Sequence, residues 1–268
     1  MTLILSEIWI YPIKSLGGIA LSKAIVRGKG LEYDRRWMLI DASGVAMTQR
    51  VHPEMALFKT QMQGEKLLVS YSKGREISSI AFSTAIPDWD TWMVARVWDD
   101  DVQVLEVDRQ ISEWFSRNLG VACKLVAFPE EKPRKVDSRY SINKEHVSLA
   151  DAYPFLIIGQ SSLDDLNKRL NEAVPMKRFR PNFVFTGGTA YQEDQWRDFS
   201  IGKIPFVAVK KSERCALITV NQNTAEKGKE PLRTLSDYRK EGNKVCFGQN
   251  LVALAEGEVV LGDPIIPT

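Results

Sequence analysis

Residues 8–15 read IWIYPIKS, a short apolar segment that ends in a proline turn with a lysine and a serine. The same organisation recurs nearby: AIVR at 24–27 ends at a glycine-rich turn, and RWMLID at 36–41 closes on Ala-Ser-Gly. Short apolar runs separated by such turns are typical of β-barrels and β-sandwiches. The first half of the chain is therefore predicted to be a β-rich, barrel-like domain.

After the first hundred residues, the chain mixes strands with helices. Residues 111–119 place four apolar side chains on one helical face and stop at Gly120. A second helix is predicted over 161–170, opened by a serine cap, and a third near 232–240. The stretch 129–145 is rich in proline and charge and has no face to bury, which predicts a long loop.

Four more strands are predicted, at 182–186, 205–210, 214–220 and 251–260. The fold class is thus mainly β with peripheral helices (α+β). The chain is predicted to divide into an N-terminal β-barrel-like domain, residues 1–122, and a second domain, residues 123–268.

Composition limits the classes of function. The 268 residues are 44% hydrophobic and 26% charged, enough for one large core or two modest ones. A net charge of +2 disfavours general affinity for nucleic acid or membrane surfaces. No apolar run approaches the roughly 20 residues that span a bilayer, and the start lacks a basic leader. Cytoplasmic residence is expected.

The cysteines and histidines exclude several metal sites. Cys123, Cys215 and Cys246 are far apart and form no CxxC pair, so a zinc site or an all-cysteine iron–sulfur cluster is disfavoured. Their odd number favours free thiols in a reducing compartment. Cys215 lies near the start of the predicted strand at 214–220, directly ahead of the apolar run ALITV at 216–220. It is either a small core residue or a ligand for a metal that something other than protein holds.

Cations follow or precede several predicted strands. Lys14 and Ser15 follow the first strand, Arg35 precedes the next, and Arg180 lies in RFRPNF at 178–183. Each is either a solvated edge residue or part of an anion site. A phosphate needs charge-assisted donors of this kind, so these four could form a clamp if the halves fold together. The chain has no phosphate loop, no dinucleotide fingerprint and no nucleophile elbow.

Seven motifs fall in the order seen in MOSC proteins, named after the molybdenum cofactor sulfurase C-terminal domain. They are IYPIKS at 10–15, LEYDRRW at 31–37, DAYPFLI at 151–157, RPN at 180–182, RCALITV at 214–220, EPLRTL at 230–235 and FGQN at 247–250. The chain resembles the branch with an additional N-terminal MOSC barrel, which includes the mitochondrial amidoxime-reducing component and its bacterial relatives.

The resemblance implies a molybdenum cofactor (Mo-molybdopterin), bound by the second domain, and roles for particular residues. Cys215 matches the thiolate that ligates molybdenum. The implied contacts of the cofactor are Lys14, Ser15, Arg35, Asp151, Arg180, Asn182, Arg214 and Asn250. Arg214 beside Cys215 would favour the deprotonated thiol. Asp151 is a candidate proton donor, with a capping or salt-bridge role as the alternative.

The resemblance also implies an activity: reduction of N-hydroxylated or N-oxygenated small molecules such as amidoximes and N-hydroxylated bases. The chain contains neither a flavin or nicotinamide fingerprint nor a plant-type iron–sulfur run, so a separate electron donor protein, of flavoprotein or ferredoxin type, is expected. Two alternatives stay open. The chain could be a cofactor or sulfur carrier module of the sulfurase type, or a binding protein without activity, because Ala152 and Tyr153 replace small hydroxyl residues.

Overall fold

The computed structural model describes residues 2–85 and 92–268. Strands take 43% and helices 16% of these described residues, which confirms the prediction of a mainly β fold with few helices. The α-helices of the described residues are α1 (Arg109–Leu119), α2 (Gln160–Asn167) and α3 (Leu232–Tyr238). None of these described helices has the length and apolar character needed to cross a bilayer.

The strands are short and follow one another closely in the N-terminal part. Up to residue 127 they are β1 (Leu3–Ile10), β2 (Ile19–Leu21), β3 (Lys23–Arg27), β4 (Gly30–Leu31), β5 (Trp37–Ile40), β6 (Phe58–Gln63), β7 (Lys66–Lys73), β8 (Glu76–Ser83), β9 (Trp92–Val97), β10 (Asp100–Glu106) and β11 (Lys124–Ala127). After the long segment that follows, they are β12 (Phe155–Gly159), β13 (Phe183–Thr186), β14 (Asp198–Ile201), β15 (Ile204–Arg214), β16 (Lys240–Glu241), β17 (Lys244–Ala253), β18 (Gly257–Val260) and β19 (Pro264–Pro267).

Seven strands close into a barrel. Their order is β12, β13, β1, β19, β14, β15 and β17, and β17 pairs back onto β12. Strand β1 lies between β13 and β19, so the first strand of the chain completes a barrel whose other strands come from the second half. The boundary between residues 122 and 123 stays a prediction.

Aromatic side chains fill the barrel. Phe155 and Phe183 stack with ring centroids 5.8 Å apart, and the ring of Phe206 meets both edge-on at 5.4 and 5.6 Å. All three are buried. Replacing one such core phenylalanine by alanine costs on the order of 3–5 kcal/mol. The barrel is therefore a packed core, and ligand-binding side chains are left to its rim and to the neighbouring loops.

A second core forms around helix α1. Phe58, Trp114 and Phe115 pack together beneath the meander β6–β7–β8, with Trp114 and Phe115 contributed by the helix. The predicted amphipathic helix is confirmed: Asp108 caps its first turn, and Gly120 ends it with a φ of 70°. Next to this core, the sheet β5–β11–β10–β9 carries the β9–β10 hairpin.

Three local predictions are wrong. Strand β15 ends at Arg214, and Ala216–Thr219 is a 3₁₀ turn instead of a strand, closed by hydrogen bonds from Ile218 N to Cys215 O and from Val220 N to Leu217 O. The run predicted as one strand at 251–260 is split between β17 and β18. Helix α2 begins without a side-chain cap, after Gly159.

Candidate functional site

A cavity of about 680 Å³ opens beside the rim of the barrel. Its walls come from both halves of the chain, including the turn after β1, the β9–β10 hairpin and the end of β15. It brings together all nine residues predicted from the sequence: Lys14, Ser15, Arg35, Asp151, Arg180, Asn182, Arg214, Cys215 and Asn250. Their individual roles stay predictions, but their proximity is a property of the fold.

The cavity carries an excess of positive charge. Ten lysines and arginines and five aspartates and glutamates line its described walls. Several of the acids are neutralised by partners: Glu213 pairs with Lys210 and Lys244, and Asp100 pairs with Arg134. A concave site with this balance attracts anions.

Lys14 and Asp151 form an ion pair on one wall. The buried ammonium group of Lys14 donates to Asp151 Oδ1 at 2.5 Å and to the carbonyl of Leu149 at 2.8 Å. Burial lowers the pKa of Lys14, with Asp151 opposing that effect. Burial tends to raise the pKa of Asp151, but the charge and hydrogen bond of Lys14 hold this pKa below its usual value. Asp151 is therefore a carboxylate at neutral pH.

Two arginines share the ring of Tyr11. The guanidinium carbons of Arg35 and Arg180 lie 4.4 and 4.1 Å from the ring centroid. Arg35 donates to the fully buried carboxylate of Asp34 at 2.6 Å and to the carbonyl of Arg180 at 3.1 Å. Burial, with the nearby charge of Arg35, lowers the pKa of Arg180 to about 10. The pair presents two fixed cations to the cavity.

Backbone geometry at this wall is unusual. Ser15, Arg35 and Arg180 have φ values of 65°, 51° and 57°, in the left-handed region that glycine occupies most easily. Such residues persist only where their surroundings hold them, and they concentrate at binding sites. Part of that support is visible: the carbonyl of Ser15 accepts a hydrogen bond from the buried Gln49 at 2.6 Å.

Cys215 stands alone among the thiols. It is exposed on the cavity wall, whereas Cys123 and Cys246 are buried and all three are free. Its sulfur accepts a hydrogen bond from Arg50 Nη1 at 3.7 Å. The end of β15 and the following turn hold Cys215 at the rim, so the sulfur faces the cavity instead of the barrel core.

The hydrogen bonds of Arg214 go to atoms other than that sulfur. Its Nη2 donates to the carbonyl of Phe179 at 2.6 Å, and its Nη1 to Ser212 Oγ at 2.9 Å. Burial lowers the pKa of Arg214 to about 10, while the charge of Cys215 opposes this. The guanidinium that hydrogen-bonds the Cys215 sulfur is the one of Arg50, and the expected effect of Arg214 on the thiol stays a prediction.

Asn182 and Asn250 belong to barrel strands or their approach. Asn182 is buried, with its side-chain oxygen accepting from Leu156 N at 3.2 Å and its amide nitrogen donating to Trp9 O at 3.1 Å. Its side chain therefore ties β1 to β12 at the cavity floor. Asn250 lies on β17, opposite Leu156 and Lys210.

Sequence reasoning missed three residues of the cavity. Arg134, from the segment predicted as a loop, is buried and donates to Asp100 and to the carbonyls of Ser148 and Asp151. Arg50 donates a hydrogen bond to the sulfur of Cys215, and Trp98 donates one to Asp151. For Arg134, the sequence offers no more than an arginine in a polar loop. No local pattern links Arg50 or Trp98 to the site.

The donor set fits a ligand that is anionic at one end and carries a soft metal at the other. Among the described residues, Arg180 Nη2 and Arg214 Nε are buried and have no hydrogen-bond partner. Leaving such donors unpaired costs about 1–3 kcal/mol each, and a phosphate oxygen would relieve that cost. The exposed thiol of Cys215 supplies the soft ligand on the same wall.

Comparisons with known proteins agree with this geometry. Residues 2–122 match the MOSC N-terminal beta barrel domain, and residues 144–266 match the MOSC domain. The chain is 32% identical to the mouse mitochondrial amidoxime-reducing component 1, over 97% of this chain and 81% of that protein. The human protein of the same name is 30% identical, with the same coverage. The rice molybdenum cofactor sulfurase is 30% identical, over 95% of this chain but 33% of the sulfurase.

Proposed function

Because this chain belongs to the family of MOSC proteins that carry an N-terminal MOSC barrel, we propose that it is a molybdenum-cofactor-dependent oxidoreductase acting on N-hydroxylated or N-oxygenated compounds. The observation that carries the proposal is the position of Cys215. It is the exposed thiol of the chain and lies on the wall of a cation-lined cavity. Relatives that are named amidoxime-reducing components support the class of reaction.

Different residues would contact different parts of the cofactor. Cys215 would ligate molybdenum, since a thiolate suits this metal. Arg180 and Arg214 would donate their unpaired nitrogens to the phosphate, with Arg35 and Lys14 adding charge on the same side. When bound, the cofactor supplies the two-electron chemistry, and the protein supplies orientation and charge.

Asp151 takes the salt-bridge role instead of that of a proton donor. Its oxygen accepts hydrogen bonds from Lys14 at 2.5 Å and from Trp98 Nε1 at 3.1 Å. Since its pKa is held below the usual range, it carries no proton to give at neutral pH. Reduction of N–OH to N–H consumes two electrons and two protons and releases water, so the protons reach the substrate from solvent or from another group.

A separate electron donor completes the proposal. The electrons would come from a flavoprotein or a ferredoxin-type protein, since the sequence has no fingerprint of a second redox cofactor. Cytoplasmic residence stays a prediction.

A cofactor or sulfur carrier is the second candidate. The rice sulfurase is about as similar to this chain as the amidoxime-reducing components are. In that role, Cys215 would hold a persulfide sulfur or the cavity would hold the cofactor without turnover.

Turnover separates the two candidates. Protein made in a cofactor-competent host should reduce an aryl amidoxime to the amidine with an artificial electron donor, and Cys215→Ala should lose this activity by at least about a hundredfold. Sulfane sulfur on Cys215 in a metal-loaded protein that reduces no N–OH compound would favour the carrier and contradict the reductase.

A further inference from the structure

Arg50 lies next to Cys215 and packs on the ring of Trp98, and neither residue belongs to a motif that carries the family resemblance. We propose that these two residues select the substrate: Trp98 supplies a flat face for a conjugated C–N–O group, and Arg50 binds its oxygen and disfavours cationic compounds. This inference rests on the proposed function and names the substrate class of the same site, planar N-oxygenated compounds that are neutral or anionic.

Trp98 is held over the cavity at a conformational cost. It lies in the two-residue turn between β9 and β10, with a φ of 59°. Bulky side chains rarely adopt this conformation, and hairpin turns usually place glycine or asparagine there. The ring gains little burial in return, since the residue is 53% exposed. Its indole N–H instead donates to Asp151 Oδ1 at 3.1 Å, which fixes the ring at the cavity.

Arg50 connects Trp98 with Cys215. Its guanidinium carbon lies 4.1 Å from the centroid of the Trp98 ring, and its Nη1 is 3.7 Å from the sulfur of Cys215. Among the described residues, no carboxylate forms an ion pair with Arg50 within 4.0 Å. The charge of the guanidinium is therefore not balanced by a bonded carboxylate, and its donors other than Nη1 are available to a ligand.

The loops that carry these groups are fastened to each other. Gln49 and Gln222 are buried and exchange hydrogen bonds between their amide groups, at 2.8 and 3.4 Å. Lys227 Nζ also donates to the carbonyl of Arg50 at 2.6 Å. The distance between Arg50 and Cys215 is thus set by a rigid support, as precise recognition of a small group requires.

Charge decides which substrates this arrangement accepts. The substrate reacts beside Cys215, so its N–O oxygen comes within reach of the Arg50 donors, which form charge-assisted hydrogen bonds to oxygen. A cationic substrate meets like charge at the same point, because the opposing carboxylate of Asp151 is already neutralised by Lys14. Neutral and anionic planar compounds gain from both contacts.

The test compares two probes of similar size on metal-loaded protein: an aryl amidoxime, neutral at pH 7, and an aryl N-hydroxyguanidine, a cation at that pH. We expect Arg50→Gln to lower the ratio of kcat/KM for the neutral probe to that for the cationic probe by about tenfold. Arg50→Lys should keep most of this ratio, and Trp98→Ala should raise KM for both probes more than it lowers kcat. Arg109→Gln, at an exposed site on α1, is the matched control.

The outcomes separate this inference from the proposed function. Suppose that Arg50→Gln still contains metal but loses kcat/KM equally for both probes. Arg50 would then support only the Cys215 site, and its role in selecting the substrate would be overturned while the proposed reductase activity would stand. Metal-loaded wild-type protein that reduces neither probe would overturn both. Binding of the oxidised protein to each probe, measured by calorimetry, should show the same change of preference without turnover.

Discussion

Lys14 is buried, and its ammonium group is bonded to Asp151 and to the carbonyl of Leu149. Removing such a cation from water costs free energy that one partner rarely restores in full, and accordingly burial lowers the pKa of Lys14. Asp151 keeps 55% of its side chain exposed, so it depends less on the pair than Lys14 does. We therefore expect the burial of Lys14 to cost stability in the protein without ligand, a cost that its proposed contact with the cofactor would offset.

Lys14→Met tests this trade. Without ligand, the free energy of unfolding of the variant should lie within about 1 kcal/mol of the wild-type value or above it, because an apolar side chain of similar length replaces a desolvated charge. Retention of the cofactor after dialysis should fall by about tenfold or more. Denaturant unfolding and metal content per chain measure the two effects, and Lys203→Met, at an exposed turn, is the control. A loss of several kcal/mol in the variant without ligand would mean that the ion pair is net stabilising.

The candidate site could be predicted in part at this scale. Cys215, Lys14, Arg35 and Arg180 were identified from residue chemistry and an ordered set of motifs, and the fold places them on one cavity. Arg50 was missed because its function depends on contact with residue 215, and no local pattern encodes a contact across 165 positions. Residues that act through tertiary neighbours carry no signal of their own in the sequence.

Helix α2 is fastened by a carboxylate from a distant segment. The buried Glu193 accepts hydrogen bonds from Gly159 N at 3.1 Å and from Ser162 Oγ at 2.8 Å. Ser162 in turn accepts from Tyr191 N at 2.7 Å. The predicted serine cap is replaced by this arrangement, because the chain brings a stronger acceptor to the start of the helix than a local hydroxyl provides.

Glu193 makes stability depend on pH in a defined direction. Burial raises its pKa above the ordinary value, although the hydrogen bonds to Gly159 and Ser162 oppose this. At pH values between the ordinary pKa and the raised pKa, the folded state thus holds a proton that the unfolded state has released. Its contribution is full below the ordinary glutamate pKa of about 4.3, and is lost as pH rises through the folded pKa.

Glu193→Gln removes that titration. The stability of the variant relative to wild type should increase as pH rises above the ordinary glutamate pKa of about 4.3, because only the wild type loses stability when Glu193 ionises. Denaturant unfolding at several pH values measures it, and Glu172→Gln, at an exposed site, should show no such trend. A difference that stays constant with pH would contradict the account of Glu193.

Other elements show where sequence patterns stop being informative. The apolar run after Cys215 is compatible both with a buried strand and with a short turn that buries Ile218 and Val220. Only the backbone hydrogen bonds distinguish these two structures. Helix α1 was predictable because its apolar face and its Gly120 stop indicate the same structure, and the Asp108 cap that the structure adds agrees with them.

At the scale of the whole molecule, the barrel unites the two ends of the chain. Strand β1 pairs with β13 and β19, from the second half. The alternation of short strands and turns predicted the β class, but pairing between strands that are more than 170 residues apart is a tertiary property. This closure places the turn with Lys14 and Ser15 against the rim that carries Arg180 and Arg214, and so brings these cations to one cavity.

We propose that Cys215 holds molybdenum in this cavity. The experiment is a metal analysis of wild type, Cys215→Ala and Cys246→Ala, all made in a cofactor-competent host. Cys246 is buried on β17 and serves as the control thiol. We predict about one molybdenum per chain in wild type and in Cys246→Ala, and near loss of the metal in Cys215→Ala. Wild-type protein without molybdenum, or a Cys215→Ala variant that keeps both metal and activity, would contradict the account.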